Sequence, residues 1–354
     1  MVDKQMHYIN MHALMDKCMV KGYTHAAIAK TVNMVLNTSL TVANVDERAL
    51  VVAGYRKQLD KLKELPRIDQ RTPEWYAARQ TLITASDFAQ ALGEGKFGTQ
   101  KQLIQKKCGF EEDKFNNALP ALRWGTMFED AACTIYSQRY GTHMYDFGLI
   151  RHPTIDSLGA SPDGVNECGI MVEIKCPWRR KIDGTVPMQY YYQIQGQLDV
   201  CGLSECDYWE CEFIDSEDVE EIFAGASACL GERGAIVELV DNKYIYGPVS
   251  KDMTAAELVN WTDATKNECE SEGNDVVKLH YYLLTKASMI RVYKDPDFLA
   301  EKLDQLKVVW DRIKGYRADE ELYNKEVKST APAASASGKA SYNTRLQGFA
   351  FVNV

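Results

Sequence analysis

The sequence predicts an α/β protein: a central mixed β-sheet flanked by helices, with a helical N-terminal extension and a C-terminal helix followed by a flexible tail. Three observations lead there. Short strand-like runs occur at residues 144–150, 171–176, 208–214 and 237–240. Apolar residues at helical spacing lie between and beyond these runs. Ser161-Pro162-Asp163-Gly164 and Glu173-Ile174-Lys175-Cys176-Pro177 are linked through Gly164, Asn166 and Gly169, turn residues that favour a hairpin.

From the N-terminus, residues 1–65 read as helical, with Asn44 and Glu47 offering a capping box ahead of Leu50, Val51, Tyr55, Leu59 and Leu62. Tyr23 to Leu36 suits a small packing module or half of a helix-turn-helix. Thr72 and Pro73 supply a cap and a first helical residue for the start of the core. The run Leu122-Arg123-Trp124-Gly125-Thr126-Met127-Phe128-Glu129-Asp130 opens a helix whose buried face carries Phe128, Ala131, Ala132 and Ile135. Glu129 beside that face is open to two roles, a first-turn glutamate favoured by the helix dipole or an inward-facing carboxylate. Pro187 fits the first turn of a helix running to about Cys201, with Gly202 as its cap. That helix has Tyr191, Ile194, Leu198 and Cys201 on its core face and Gln189, Gln193 and Gln197 in an adjoining polar stripe. From Pro296 onward Phe298, Leu299, Leu303, Leu306, Val309, Trp310 and Ile313 mark a long amphipathic helix. Residues 328–341 are rich in Ala, Ser and Pro and read as a linker; Tyr342 to Val354 are apolar enough for a docking peptide, although chain ends commonly fray. The expected units are an extension (1–65), an enzymatic domain (66–327) and a tail (328–354).

A strand repeats every two residues, so Glu173 and Lys175 lie on one face and Ile174 on the other. The hairpin brings Asp163 alongside Glu173, and two carboxylates and a lysine converge. Hard oxygen ligands select Mg²⁺ or Mn²⁺, and such a site suits hydrolysis of a phosphodiester. Glu-x-Lys alone is also an ordinary surface pair on a strand. The flanking motifs distinguish the two.

Taken in order, WYAARQTLITASDF, LRWGTMFED, GASPDG, VEIKCPW and YYYQIQGQLDV resemble the lambda-exonuclease/YqaJ viral recombinase branch of the PD-(D/E)XK nucleases, over about residues 70–215. The resemblance implies a restriction-endonuclease-like core in which Glu129, Asp163 and Glu173 ligate Mg²⁺ together with the carbonyl of Ile174. Mn²⁺ would substitute. It further implies that Lys175 positions and activates the water, that Gln193 contacts the water or scissile phosphate, and that Tyr190 packs the site. Arg79 and Ser86 match positions that hold a 5′-terminal phosphate; Ser86 also suits a helix N-cap before Asp87 and Phe88. The implied activity is a 5′→3′ exonuclease on double-stranded DNA, leaving 3′ single strands for recombination and repair by annealing. An annealing protein and a homo-oligomer, commonly a trimeric ring, are the implied partners, and phages and large DNA viruses the common setting. An endonuclease or single-strand nuclease on the same core, or a DNA-binding scaffold without activity, would share most of these motifs.

A formal net charge of −9 over 354 residues does not exclude DNA, since affinity comes from local Lys and Arg contacts to phosphates. Arg179, Arg180 and Lys181, directly after the Glu-x-Lys strand, are the best-placed basic cluster; Lys96, Lys101, Lys106 and Lys107 form a second. No run approaches the roughly 18 apolar residues of a membrane span, and the start lacks a signal-peptide pattern, so an intracellular, soluble protein is expected. Ten cysteines are scattered without a Cys-x₂-Cys pair, which argues for free thiols. Cys206 and Cys211 are an odd number of residues apart on one strand, hence on opposite faces, which argues against an iron–sulfur cluster.

Overall fold

The computed structural model describes residues 10–110, 119–224 and 231–328. Helices α1 (Met11–Val20), α2 (His25–Leu36) and α3 (Val42–Lys63) lead into α4 (Pro73–Gln80), β1 (Ile83–Thr84), α5 (Phe88–Ala91), α6 (Gln100–Cys108) and α7 (Pro120–Tyr140). There follow β2 (Met144–Tyr145), β3 (Ile150–Arg151), β4 (Leu158–Ala160), β5 (Gly164–Asn166), β6 (Met171–Lys175) and α8 (Met188–Cys201). The chain continues through β7 (Glu205–Ser216), α9 (Val219–Ala224), β8 (Arg233–Leu239), β9 (Lys243–Tyr246), α10 (Ala255–Ser271), β10 (Val276–Tyr293), α11 (Phe298–Ala318) and α12 (Glu320–Tyr323).

Seven strands form the main sheet in the order β2-β5-β6-β7-β10-β8-β9. Among the described residues only β6 and β7 of this sheet pair in parallel, joined by the crossover helix α8, so the sheet is mixed. Alternation along β6 sends Val172 and Ile174 to a core shared with α7, and Met171 to a core shared with α8. Cys206 and Cys211 likewise separate into the two cores. Among the described residues nine cysteines are free and no group of three His, Cys, Asp or Glu side chains is placed to hold a metal ion. A small second sheet, β1-β4-β3, buttresses the start of the core.

Three local expectations are corrected. The helix α3 is capped by Thr41, whose side chain accepts from Asn44 N while Asn44 answers on the Thr41 backbone; the capping box therefore begins three residues earlier than Asn44 and Glu47. Residues 144–150 do not form one strand. β2 and β3 belong to different sheets, and between them the backbone leaves the ladder to pack on Ile68: Leu149 N donates to the Ile68 carbonyl, and a Cβ at Gly148 would lie 1.7 Å from that oxygen. The 18-residue strand β10 was not anticipated, yet it sits between β7 and β8 and pairs with both.

The N-terminal helices are fastened to the sheet by a buried ionic network. Arg48 on α3 reaches Asp16 on α1 at 2.7 Å and Glu205 on β7 at 2.5 Å; Arg291 on β10 pairs with Asp207 at 2.6 Å and also with Asp16 and Glu205. Tyr55 and Tyr136 donate to Glu205 and Asp207. Each charge there has a partner, the condition under which buried charges are tolerated. The helix expected after Pro296 is α11, which packs with α6 in a third core. The linker and tail expected at 328–354 lie outside the described residues beyond Lys328. No helix among the described residues is long and apolar enough to cross a membrane.

Candidate active site

Gly164 pairs with Val172 and Val165 with Met171, so the next step along the ladder sets Asp163 opposite Glu173. Asp163 Oδ2 accepts from Ile174 N at 2.8 Å. Glu173 is completely buried on the α8 face of β6. Lys175 projects on the same side and its Nζ pairs with Glu173 Oε1. On the other side of this carboxylate, Gln197 Nε2 donates to Glu173 Oε2 at 2.8 Å.

Glu129 joins from α7. That helix begins at Pro120, so Glu129 stands in its third turn and is not a first-turn glutamate. Its partner is Arg71, whose Nη2 lies 2.9 Å from Glu129 Oε2. Burial, and then the charge of Asp163, push the Glu129 carboxyl up to about 7; burial, and then Glu173, push Asp163 up to about 7 as well. Ionising both carboxyls would gather negative charge in a poorly solvated place. Burial works against the Lys175 cation, but Glu173 and Asp163 outweigh it and raise its pKa, so Lys175 is held as a hydrogen-bonding cation and not as a free base.

Beside this cluster lies a cavity of about 150 Å³ lined by Gln70, Trp75, Arg79, Thr84, Ala85, Ser86, Ser161, Asp163, Gln193 and Gln197. Arg79 Nη2 donates to Ser86 Oγ at 3.0 Å and its guanidinium lies 4.3 Å from the Trp75 ring. Arg79 has no ion-pair partner among the described residues, and burial lowers its pKa despite Asp87 and Tyr76. The nearby carboxylate of Asp87 is already taken: Lys107 Nζ pairs with it at 2.8 Å, and Thr84 donates to it through N and Oγ1. Lys107 also donates to the Arg79 carbonyl at 2.9 Å. A half-buried guanidinium without an ion-pair partner among the described residues, next to a hydroxyl, has donors of the kind that suit a phosphate.

Ser86 is not an N-cap. Thr84 takes that place, in a box with Asp87, and Ser86 falls inside the short 3₁₀ turn Ala85–Asp87. Gln193 lines the cavity one helical turn from Gln197. Sequence spacing puts both glutamines on one stripe but does not single out Gln197, which is the one in contact with Glu173. Tyr190 lies with Lys175 Nζ 5.2 Å and the Arg180 guanidinium 5.8 Å from its ring. In the basic cluster, Arg180 is engaged with Glu210, Arg179 stacks at 4.0 Å over the half-exposed Trp178, and Lys181 is exposed. Lys107 of the second basic group is buried against Asp87 and offers no charge to the surface.

The segment holding Arg79, Ser86, Glu129, Asp163, Glu173, Lys175 and Gln193 coincides with a match to a known family model, over residues 74–204. The model is that of the YqaJ-like viral recombinase domain. This is the family that the five ordered motifs resemble. The chain is 26% identical over 320 residues to an uncharacterized protein of Acanthamoeba polyphaga mimivirus, covering 77% of this chain and 57% of that protein. It is 27% identical over 161 residues to a protein of African swine fever virus, strain Badajoz 1971 Vero-adapted, covering 36% of this chain and 45% of that protein. The chain thus spans about half the length of these relatives. Among solved structures, an alkaline exonuclease from Laribacter hongkongensis aligns with a TM-score of 0.43 at 22% identity, over 73% of this chain and all of that one. The matched segment begins within α4 and ends just after α8, so it contains every side chain of the cluster except Arg71.

Proposed function

We propose that this chain is a Mg²⁺-dependent deoxyribonuclease that degrades duplex DNA from 5′-phosphorylated ends, leaving 3′ single strands for annealing. The observation that carries this reading is the shared cavity: Arg79 and Ser86 line the same 150 Å³ space as Asp163, Gln193 and Gln197. A terminal phosphate held on Arg79 would set the first phosphodiester beside the carboxylates. This is a reason to cut at an end.

The donor set fits a hard divalent cation. Mg²⁺ is commonly held by one or two carboxylates, its shell completed by water and phosphate oxygens, so a cage of three protein ligands is not needed. Asp163 with Glu129 or Glu173, and the Ile174 carbonyl, would hold it, and the raised carboxyls are those a cation would relieve. When bound, such an ion neutralises phosphate charge and makes its water more acidic. The chain's own groups do the rest. Lys175, kept cationic by Glu173 and Asp163, donates from Nζ to the attacking oxygen and stabilises its charge. Gln197 fixes Glu173 by its amide, leaving Glu173 Oε1 on the Lys175 side. Arg79 and Ser86 bind and orient the end. An annealing protein and a ring-forming homo-oligomer are supported by the family resemblance alone.

The 5′ pocket is tested with duplexes that differ only in bearing a 5′-phosphate or a 5′-hydroxyl. The phosphorylated end is degraded faster by the wild-type protein; equal rates would overturn the end-directed part of the proposal.

A further inference from the structure

Among the described residues three non-glycine positions have a left-handed backbone: Asn37, Asn242 and Arg71, the last at φ 65°. Asparagine tolerates this region, whereas a long side chain gains nothing from it and glycine would occupy it without steric penalty. Arginine at such a turn therefore points to a use for the side chain. The turn is also rigidly held. Gln70 donates to the carbonyls of Phe147 and Pro162, and Thr72 caps α4 while donating to the Asp69 carbonyl. Pro162 directly precedes Asp163, so the turn that carries Arg71 is tied to the carboxylate cluster.

The Arg71 side chain is 42% exposed, and Glu129 is its one ion-pair partner among the described residues, reached through Nη2. Nε and Nη1 have no ion-pair partner among the described residues, and the carboxylates of Asp130 and Asp163 as well as Glu129 act on the guanidinium. We propose that Arg71 is a further DNA-binding residue of this site: it takes the backbone phosphate that enters beside Glu129, and its pair with Glu129 keeps the guanidinium in place for that phosphate. This rests on the reading of the cluster as a phosphodiesterase centre. The contact is separate from the Arg79 pocket, because Arg71 does not line that cavity.

The test measures binding, not turnover. Wild-type protein, Arg71→Gln and Arg71→Gly are titrated with a fluorescent blunt duplex bearing 5′-phosphates, in EDTA, over a series of salt concentrations. A phosphate contact predicts that both variants bind about three- to tenfold more weakly and that the slope of log Kd against log salt falls by about one. Thermal melts show whether each variant is folded; Gln keeps the backbone demand of Arg and Gly relieves it, so one folded variant suffices. An unchanged slope in a folded variant overturns the inference, leaving Arg71 a structural partner of Glu129. Lys175→Ala retaining full cleavage would instead overturn the underlying reading of the site.

Discussion

Lys107→Met tests how the Arg79 pocket is kept open for an anion. Lys107 and Asp87 have side chains only 3% and 6% exposed and pair at 2.8 Å. Burial favours a neutral Asp87, but Lys107, then Arg79, and the hydrogen bonds from Lys107 and Thr84 hold its carboxyl well below the usual range. Removing the lysine leaves a buried carboxylate with only the Thr84 donors, and breaking one side of a buried pair costs about 3–5 kcal/mol. At about 2–3 °C per kcal/mol for a chain of this size, the Tm falls by about 6–15 °C. The double variant Asp87→Asn/Lys107→Met recovers much of this, because no charge is stranded. The sign with pH follows from the depressed carboxyl: its stabilisation is present above about pH 4, the ordinary carboxylate value, and is lost as pH falls through the lower folded value. The gap between wild type and Lys107→Met therefore narrows toward acid. Differential scanning calorimetry at several pH values measures all of this. A Tm loss below about 2 °C, or an equal loss in the single and double variants, refutes the reasoning.

Three further outcomes are expected. Arg79→Lys keeps a positive charge but not the planar fork, so the preference for 5′-phosphate over 5′-hydroxyl ends drops about tenfold while the Tm changes little; an undiminished preference contradicts the pocket. Gln197→Leu removes the donor to Glu173 Oε2 and lowers cleavage about 10- to 100-fold, as loss of partners that orient a ligating carboxylate does, with 5′-phosphate preference retained; wild-type kcat would show that Glu173 needs no such support. Glu129 and Asp163, raised to about 7 in the fold, hold protons that unfolded carboxylates release near pH 4, so in EDTA stability falls as pH rises from about 4 to 7 and stays lower above. Asp163→Asn flattens that decline, and a variant as steep as wild type counts against the coupling.

The half of the site that was legible in the sequence is the half built from neighbours in the chain. Asp163, Glu173 and Lys175 lie within one hairpin, where turn residues and a period of two fix relative position. Glu129, Arg79 and Ser86 were placed only by the order of motifs, since three separate elements bring them in. Arg71 and Gln197 were not singled out: the first depends on a turn conformation that arginine does not announce, and the second differs from Gln193 only in depth along one helix face. The strand β10 escaped for a related reason. Its His280 and Arg291 look like surface residues in a one-dimensional pattern, but they are buried against Asp215, Glu238, Asp207 and Glu205, partners 42 or more residues away. Such pairings restore polar residues to a sheet interior only after the fold exists.

On the proposed reading, the Asp163–Glu173–Lys175 cluster cleaves DNA from its 5′ ends. Purified protein is incubated with Mg²⁺ and linear duplex labelled at either the 5′ or the 3′ end, with Lys175→Ala alongside. Immediate release of 5′ label as mononucleotide, slow loss of 3′ label and an inert variant are the predicted result; internal cuts, or equal cleavage by Lys175→Ala, would contradict it.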